Sequence, residues 1–408
     1  MKTIIPRDLT ASVNDNLLKI SNFFITEYKK DRDQQLIGLM TGRAGSMFLQ
    51  SLLYKATGDI NFFNEIQENL EFILDELEQS NEISVSYGNG LAGIGWLIIF
   101  LSENDLISFE TEDILLEIDD VLQRELILFL NKKEFDLLHE ALGVGQYFIK
   151  RKNIEQVDKI VCALYEARSE FESEIAWNKL DKYNSKSNVY DLGLAHGLAG
   201  ILYFLGKSYQ MNCQVEKCLI LINGVFSFYK NNIQAGNLMM SFFPDAIPVE
   251  AYKSGNIEQK SRVAWCYGDL GIGYTLYQVA SIIKNSTFKD FALNILKVVA
   301  LKKDYKDTIV SEASFCHGSS GNGIMFLKLY KITQDEDFLR AANFYLNMTI
   351  EFGMKDKDII KSYIELKNKI GSIQTTGLLT GIGGPLLLLI AFNYDLDSIS
   401  WDDLFFLS

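Results

Sequence analysis

The sequence predicts an all-α protein, a double-layered α/α toroid built from seven helix-pair repeats. Three observations carry that prediction. A short glycine motif, G-x-x-G followed by an apolar run, recurs along the 408 residues. The stretches between copies place apolar residues three and four apart, the helical period, while strand-like alternation is scarce. The runs after each motif are apolar nearly all round, as in a helix covered on every side.

The copies begin at Thr41 (TGRAG), Asn89 (NGLAG), His139 (HEALG), His196 (HGLAG), Tyr267 (YGDLG), His317 (HGSSG) and Thr380 (TGIGG). The third is degenerate, with Glu140 in the place of the first glycine. Successive second glycines, from Gly45 to Gly384, lie 48 to 71 residues apart. Such an interval holds two helices of ordinary length and their loops. Asn64–Glu78 and Glu112–Leu130 are predicted as amphipathic outer helices, and the run after each motif as a buried inner helix. The glycines are expected to let the turn take positive φ and to let inner helices approach closely. The interval from Gly200 to Gly271 has spare length, and Pro244 and Pro248 mark a loop there. With 4 Pro against 29 Gly there is little linker, so residues 1–408 are expected to form one domain.

Composition bounds the function. The chain is 48% hydrophobic and 23% charged, enough apolar material for a large core without disulfides. Its formal net charge of −14 argues against nucleic acid as a partner, because phosphate binding wants a basic surface. The start, MKTIIPRDLTASVNDN, has no apolar h-region, so no signal peptide is expected. The longest apolar run, Gly377 to Phe392, is broken by glycines and Pro385 and falls short of the ~20 residues that span a bilayer. Membrane insertion is therefore not expected. Five cysteines, an odd number, are no disulfide framework and fit a reducing cytoplasm.

The chemistry follows the repeat. All three histidines, His139, His196 and His317, stand just before the first motif position. Cys266 and Cys316 stand one place earlier still. In a ring these positions converge at one mouth. Cys266, Cys316 and His317, with His196 nearby, make a Cys2His set, the arrangement of a zinc site with an open fourth position. No C-x-x-C pair exists, so the spacing is not that of a zinc finger. Cys162, Cys213 and Cys218 lie in ordinary helical sequence and read as small apolar fillers. His139 reads either as a rim histidine or as a site residue.

The segments YDLGLAHGLAG (Tyr190–Gly200), RVAWCYGDLG (Arg262–Gly271) and FCHGSSGNG (Phe315–Gly323), with the terminal GLLTGIGG, resemble the signature motifs of the lanthionine synthetase C-like family. The resemblance spans all seven repeats. It implies a double α-toroid that binds one zinc ion through Cys266, Cys316 and His317. It implies His196 as acid/base, with Asp136 and Arg262 near the site. The implied activity is that of a stand-alone lanthipeptide cyclase, which adds peptide cysteine thiols to dehydroalanine or dehydrobutyrine and closes thioether rings. The implied partners are a dehydrated precursor peptide, a separate dehydratase and an exporter. The implied location is the cytoplasm, or the membrane surface through a biosynthetic complex. Two other readings share the site: addition of glutathione or another small thiol to dehydroamino acids, and a non-catalytic scaffold that presents a peptide.

Overall fold

The computed structural model describes residues 7–31, 36–79, 83–181, 187–234, 240–252, 259–354 and 376–408. The first six residues, which bear on the signal-peptide expectation, lie outside them. Two compact units emerge. Unit 1 comprises residues 1–119 and 311–406 with Ser408, and unit 2 comprises 120–310 with Leu407.

In unit 1, α2 (Arg43–Thr57) packs on α3 (Ile60–Gln79). After α4 (Leu91–Glu103) comes α5 (Glu112–Lys132), which runs across the unit boundary. In unit 2, three hairpins pair α6 (Ala141–Lys150) with α7 (Ile154–Ala167), α8 (Leu198–Gln210) with α9 (Val215–Asn231), and α10 (Asp269–Ile282) with α11 (Ser286–Ala300). A single turn, α12 (Tyr305–Thr308), precedes the return to unit 1. There α13 (Ser319–Thr333) pairs with α14 (Glu336–Met354), and α15 (Gly383–Asn393) is the seventh inner helix. Its outer partner is the first helix of the chain, α1 (Arg7–Asp31), which packs against it.

The two helix types bury themselves as the pattern predicts. Every residue from Leu91 to Leu101 of α4 is buried, and so is every residue from Gly383 to Phe392 of α15. By contrast α3 buries Ile66, Asn69, Leu70 and Ile73, one stripe at helical spacing. Each apolar member of that stripe contributes about 1.5–3 kcal/mol. Outer helices α7 and α11 start on Asn153 and Asn285, whose side chains accept from Gln156 N and Phe288 N.

Inner helices start differently, and here the glycines have another reason than the expected one. None of the seven has a side-chain cap. Instead the preceding turn is wound against the helix start. Arg43 N, Leu91 N and Ser319 N donate to Leu36 O, Ser84 O and Glu312 O at 2.7, 2.8 and 2.9 Å. A Cβ on Gly90 would stand 2.0 Å from Ser84 O, and one on Gly321 would stand 1.9 Å from Phe315 O. The glycines are thus required by the close approach of a carbonyl. Positive φ occurs at one of the described motif glycines, Gly268, at 83°.

Unit 2 carries a small sheet addition. Strands β1 (Ser169–Phe171) and β2 (Glu174–Ala176) form an antiparallel hairpin, and β3 (Lys179–Leu180), β4 (Asn188–Asp191) and β5 (Ala246–Pro248) form a three-stranded sheet in that order. The loop expected at Pro244 and Pro248 is therefore partly strand. Pro248 sits on edge strand β5 opposite Val189, where a missing N–H is tolerated. Cys213 also departs from expectation, lying in the turn between α8 and α9 and not in a helix. Among the described residues no helix is long and apolar enough to cross a membrane.

Candidate active site

Because every inner helix is preceded by the same turn, residues at one position of the repeat come side by side within each unit. In unit 1 the residue two before the first motif position is tied to its neighbour: Cys316 N donates to Leu379 O at 2.9 Å, and Met40 N to Gly88 O at 2.7 Å. In unit 2 the equivalent bond runs from Ala195 N to Cys266 O at 3.3 Å. Cys266 and Cys316 therefore hold equivalent places in the same kind of turn.

Residues one place later also meet. The rings of His139 and His196 stack at 5.5 Å and 12°, and the Tyr267 ring lies 6.1 Å from His196. In unit 1 the same position brings Thr41 to Asn89, whose Oδ1 accepts from Thr41 N and Oγ1 at 3.2 and 2.9 Å.

Asp136 lies beside His196. Its Oδ2 lies 2.7 Å from His196 Nδ1. Its other oxygen, Oδ1, accepts from Leu138 N and His139 N at 2.9 and 3.0 Å. Burial pushes the Asp136 carboxyl up, but the His196 hydrogen bond and charge, with the Leu138 N–H, outweigh it and hold the group below its usual range. Glu140 fills the place of the missing glycine usefully: its Oε2 accepts from Asp136 N at 2.7 Å. Burial raises the Glu140 carboxyl above its usual range.

Three residues that the sequence reading passed over support this turn. Asp191, at the end of β4, receives Lys179 Nζ at 2.8 Å, Tyr267 Oη at 3.0 Å and Gly193 N at 3.0 Å. Lys179 also donates to His196 O. Burial and the Asp191 charge hold the Tyr267 hydroxyl far above its usual range, so it is a neutral donor. Tyr267 shares the repeat position of the three histidines, which is the signal that marks it. Asp191 and Lys179 have no such mark, being joined to the turn only by the fold.

In unit 1, His317 Nε2 stands 2.6 Å from Glu312 Oε1. A carboxylate on one ring nitrogen leaves the other, Nδ1, as a lone-pair donor, the usual support of a metal-bound imidazole. Thiols and imidazoles are the donor types that zinc prefers: Cys316 and His317 offer one of each on a turn of unit 1, and Cys266 offers a thiol on the equivalent turn of unit 2. Arg262 is half-buried, and its carbonyl is the one that a Cβ on Gly268 would meet at 1.9 Å. Among the described residues its guanidinium makes no hydrogen bond or ion pair, and its carbonyl is what lies against the turn. The remaining cysteines stand apart from this chemistry. Burial pushes the Cys213 and Cys218 thiols up to about 12, and Cys162 Sγ receives Lys217 Nζ at 3.0 Å.

The family model for lanthionine synthetase C-like protein matches residues 34–406. The chain is 24% identical over 393 residues to the nisin biosynthesis protein NisC of Lactococcus lactis subsp. lactis, covering 91% of this chain and 89% of that one. It is 26% identical over 339 residues to glutathione S-transferase LANCL1 of Danio rerio, covering 77% and 74%. The solved structure of nisin cyclase superposes with a TM-score of 0.73 at 20% identity over 98% of both chains. That likeness bears out the fold class expected from the glycine repeat, an all-α toroid of helix pairs.

Proposed function

Because the chain belongs to the lanthionine synthetase C-like family, we propose that it is a zinc-dependent lanthipeptide cyclase. Its substrate is a dehydrated precursor peptide, whose cysteine thiols it adds to dehydroalanine and dehydrobutyrine to form lanthionine and methyllanthionine rings. The observation that carries this reading is the preassembled His196–Asp136 pair, at 2.7 Å, one residue along from the turn position of Cys266. Cys266, Cys316 and His317 are the residues that would hold the zinc ion. The reading therefore treats residues 1–408 as one working domain. Zinc there would supply Lewis acidity to a thiol of ordinary pKa about 8.5, only a few per cent ionised at pH 7.

The reaction is an addition without redox change. The sulfur attacks the β-carbon, the C=C electron pair moves towards the carbonyl as an enolate, and a proton must reach the α-carbon. His196 delivers that proton, since an imidazole is suited to acid/base work near neutral pH. Asp136 fixes the ring by its hydrogen bond to Nδ1, which leaves Nε2 for the substrate. Arg262 stabilises the enolate oxygen, and the turn-bound side chains hold thiol and alkene together. A separate dehydratase supplies the dehydrated peptide, and an exporter removes the product. The work takes place in the cytoplasm or at the membrane surface within their complex.

Incubation with a dehydrated precursor tests the reading. Ring closure leaves the mass unchanged but removes free thiols, so alkylation followed by mass spectrometry counts the rings. Full retention of alkylatable thiols, with zinc bound, would instead support a scaffold. A second reading is favoured by the 26% identity to a protein named glutathione S-transferase. It predicts a glutathione-sized mass gain when that thiol is added.

A further inference from the structure

The proposed reaction does not use His139, although its ring lies stacked on His196. We propose that Asp136, His139 and His196 form a second, weaker site for a divalent transition-metal ion, zinc in the cell, and that filling it withdraws His196 from proton transfer. All three residues belong to unit 2. Their ligand atoms lie within 4.8 Å of one another. Two imidazoles and one carboxylate are a donor set that binds zinc with room for water or a further ligand.

The geometry around the three residues suits an ion. Asp136 Oδ1 is occupied by two backbone N–H groups, which fixes the carboxylate and turns Oδ2 towards the rings. His139 is exposed, so an ion reaches the cluster from solvent. Bond lengths of about 2.0–2.1 Å place tetrahedral ligand atoms about 3.4 Å apart. A pair at the 4.8 Å limit closes by roughly 1.4 Å, which rotation of the exposed His139 imidazole achieves within its broad χ2 well, while the His196 Nδ1–Asp136 Oδ2 pair at 2.7 Å opens by about 0.7 Å to admit the ion. Ion binding would replace the proton now shared by His196 Nδ1 and Asp136 Oδ2.

The order of filling follows from donor softness. A site with two thiolates holds zinc more tightly than one with nitrogen and oxygen donors only. The second site therefore fills after the first, and the protein slows when zinc is in excess. This throttling rests on the acid/base reading of His196. The binding itself does not.

The test uses the zinc-loaded protein titrated with cobalt(II). Cobalt is expected to add visible d–d absorption without a thiolate charge-transfer band. In His139→Ala, and separately in His139→Gln, cobalt affinity should fall by at least about 100-fold while the first zinc stays bound. In parallel, excess zinc should slow ring closure by the wild type and leave His139→Ala at its starting rate. Absence of cobalt binding, or binding of equal strength in both His139 variants, overturns the second site. Cobalt binding through His139 with ring closure unaffected by excess zinc keeps the site and overturns the role of His196. A purified protein without stoichiometric zinc overturns the first site instead.

Discussion

Glu140 stands where the neighbouring motifs carry glycine, and the turn shows how it is accommodated. The bond from the first helical N–H to the carbonyl seven residues earlier lengthens to 3.3 Å at Ala141, against 2.7 Å at Arg43. The side chain then accepts from Asp136 N and so buttresses the residue that orients His196. Replacing His196 by Asn should leave bound zinc unchanged and slow ring closure by about 10²- to 10⁴-fold; thiol alkylation against time reads this, and unaltered turnover would assign the proton to another group. Asp136 also makes a prediction for stability. Its folded carboxyl is held low, so it stabilises the native state above the ordinary carboxylate range and loses that effect as pH falls through its own value. In Asp136→Asn the acid limb of Tm against pH should flatten. The shift at Glu140 has the opposite sign: its raised carboxyl favours the native state at low pH, and that contribution fades as pH rises. The histidine and cysteine positions were readable from sequence because they share the repeat. Tyr267 was readable by the same rule and was passed over because its side chain suggested neither ligand nor base.

At the scale of elements, the turn before α10 is the most constrained of the motif turns. Gly268 combines φ 83° with a carbonyl that a Cβ would meet at 1.9 Å, whereas Gly58 has φ 71° and open space around it. Gly58→Ala should cost about 1 kcal/mol, the left-handed penalty alone. Gly268→Ala should cost more than twice that, and equal losses of stability in urea would refute the role of the close carbonyl. The next residue, Asp269, is buried, with Lys302 Nζ at 3.4 Å, and accepts from Phe242 N and Phe243 N. Lys302 also donates to Met240 O, so the pair pins the 240–243 segment to the start of α10. Lys302→Met leaves a buried carboxylate unpaired and should cost about 3–5 kcal/mol, recovered in part by adding Asp269→Asn. Strands of two to four residues are too short to show alternation, which is why β1–β5 were invisible in sequence. The outer helices were visible because their buried stripes follow the helical period over several turns.

For the whole molecule, the question is whether the metal holds the fold. Each unit buries its inner helices on every side, so chelation should leave the far-UV circular dichroism unchanged and lower Tm by roughly 10 °C. Cooperative unfolding on metal removal would mean that the zinc is structural. The toroid class was legible because one motif recurs seven times, and recurrence is a property of the sequence itself. The division at residues 119 and 310 was not, since it falls inside α5 and just beyond α12, where composition does not change.

The pairing of α1 with α15 bears on how the chain is made. Helix α1 can meet its partner only after every residue between them has been made. At about 5–20 residues per second, the roughly 190 residues of unit 2 take on the order of 10–40 s to translate. Through that wait the first half of unit 1 must keep α2 and α4 from clumping with neighbouring nascent chains. Rare codons within residues 120–310, or growth at low temperature, lengthen the exposure. Yield in a heterologous host should respond to those conditions more than to any substitution in the catalytic turn.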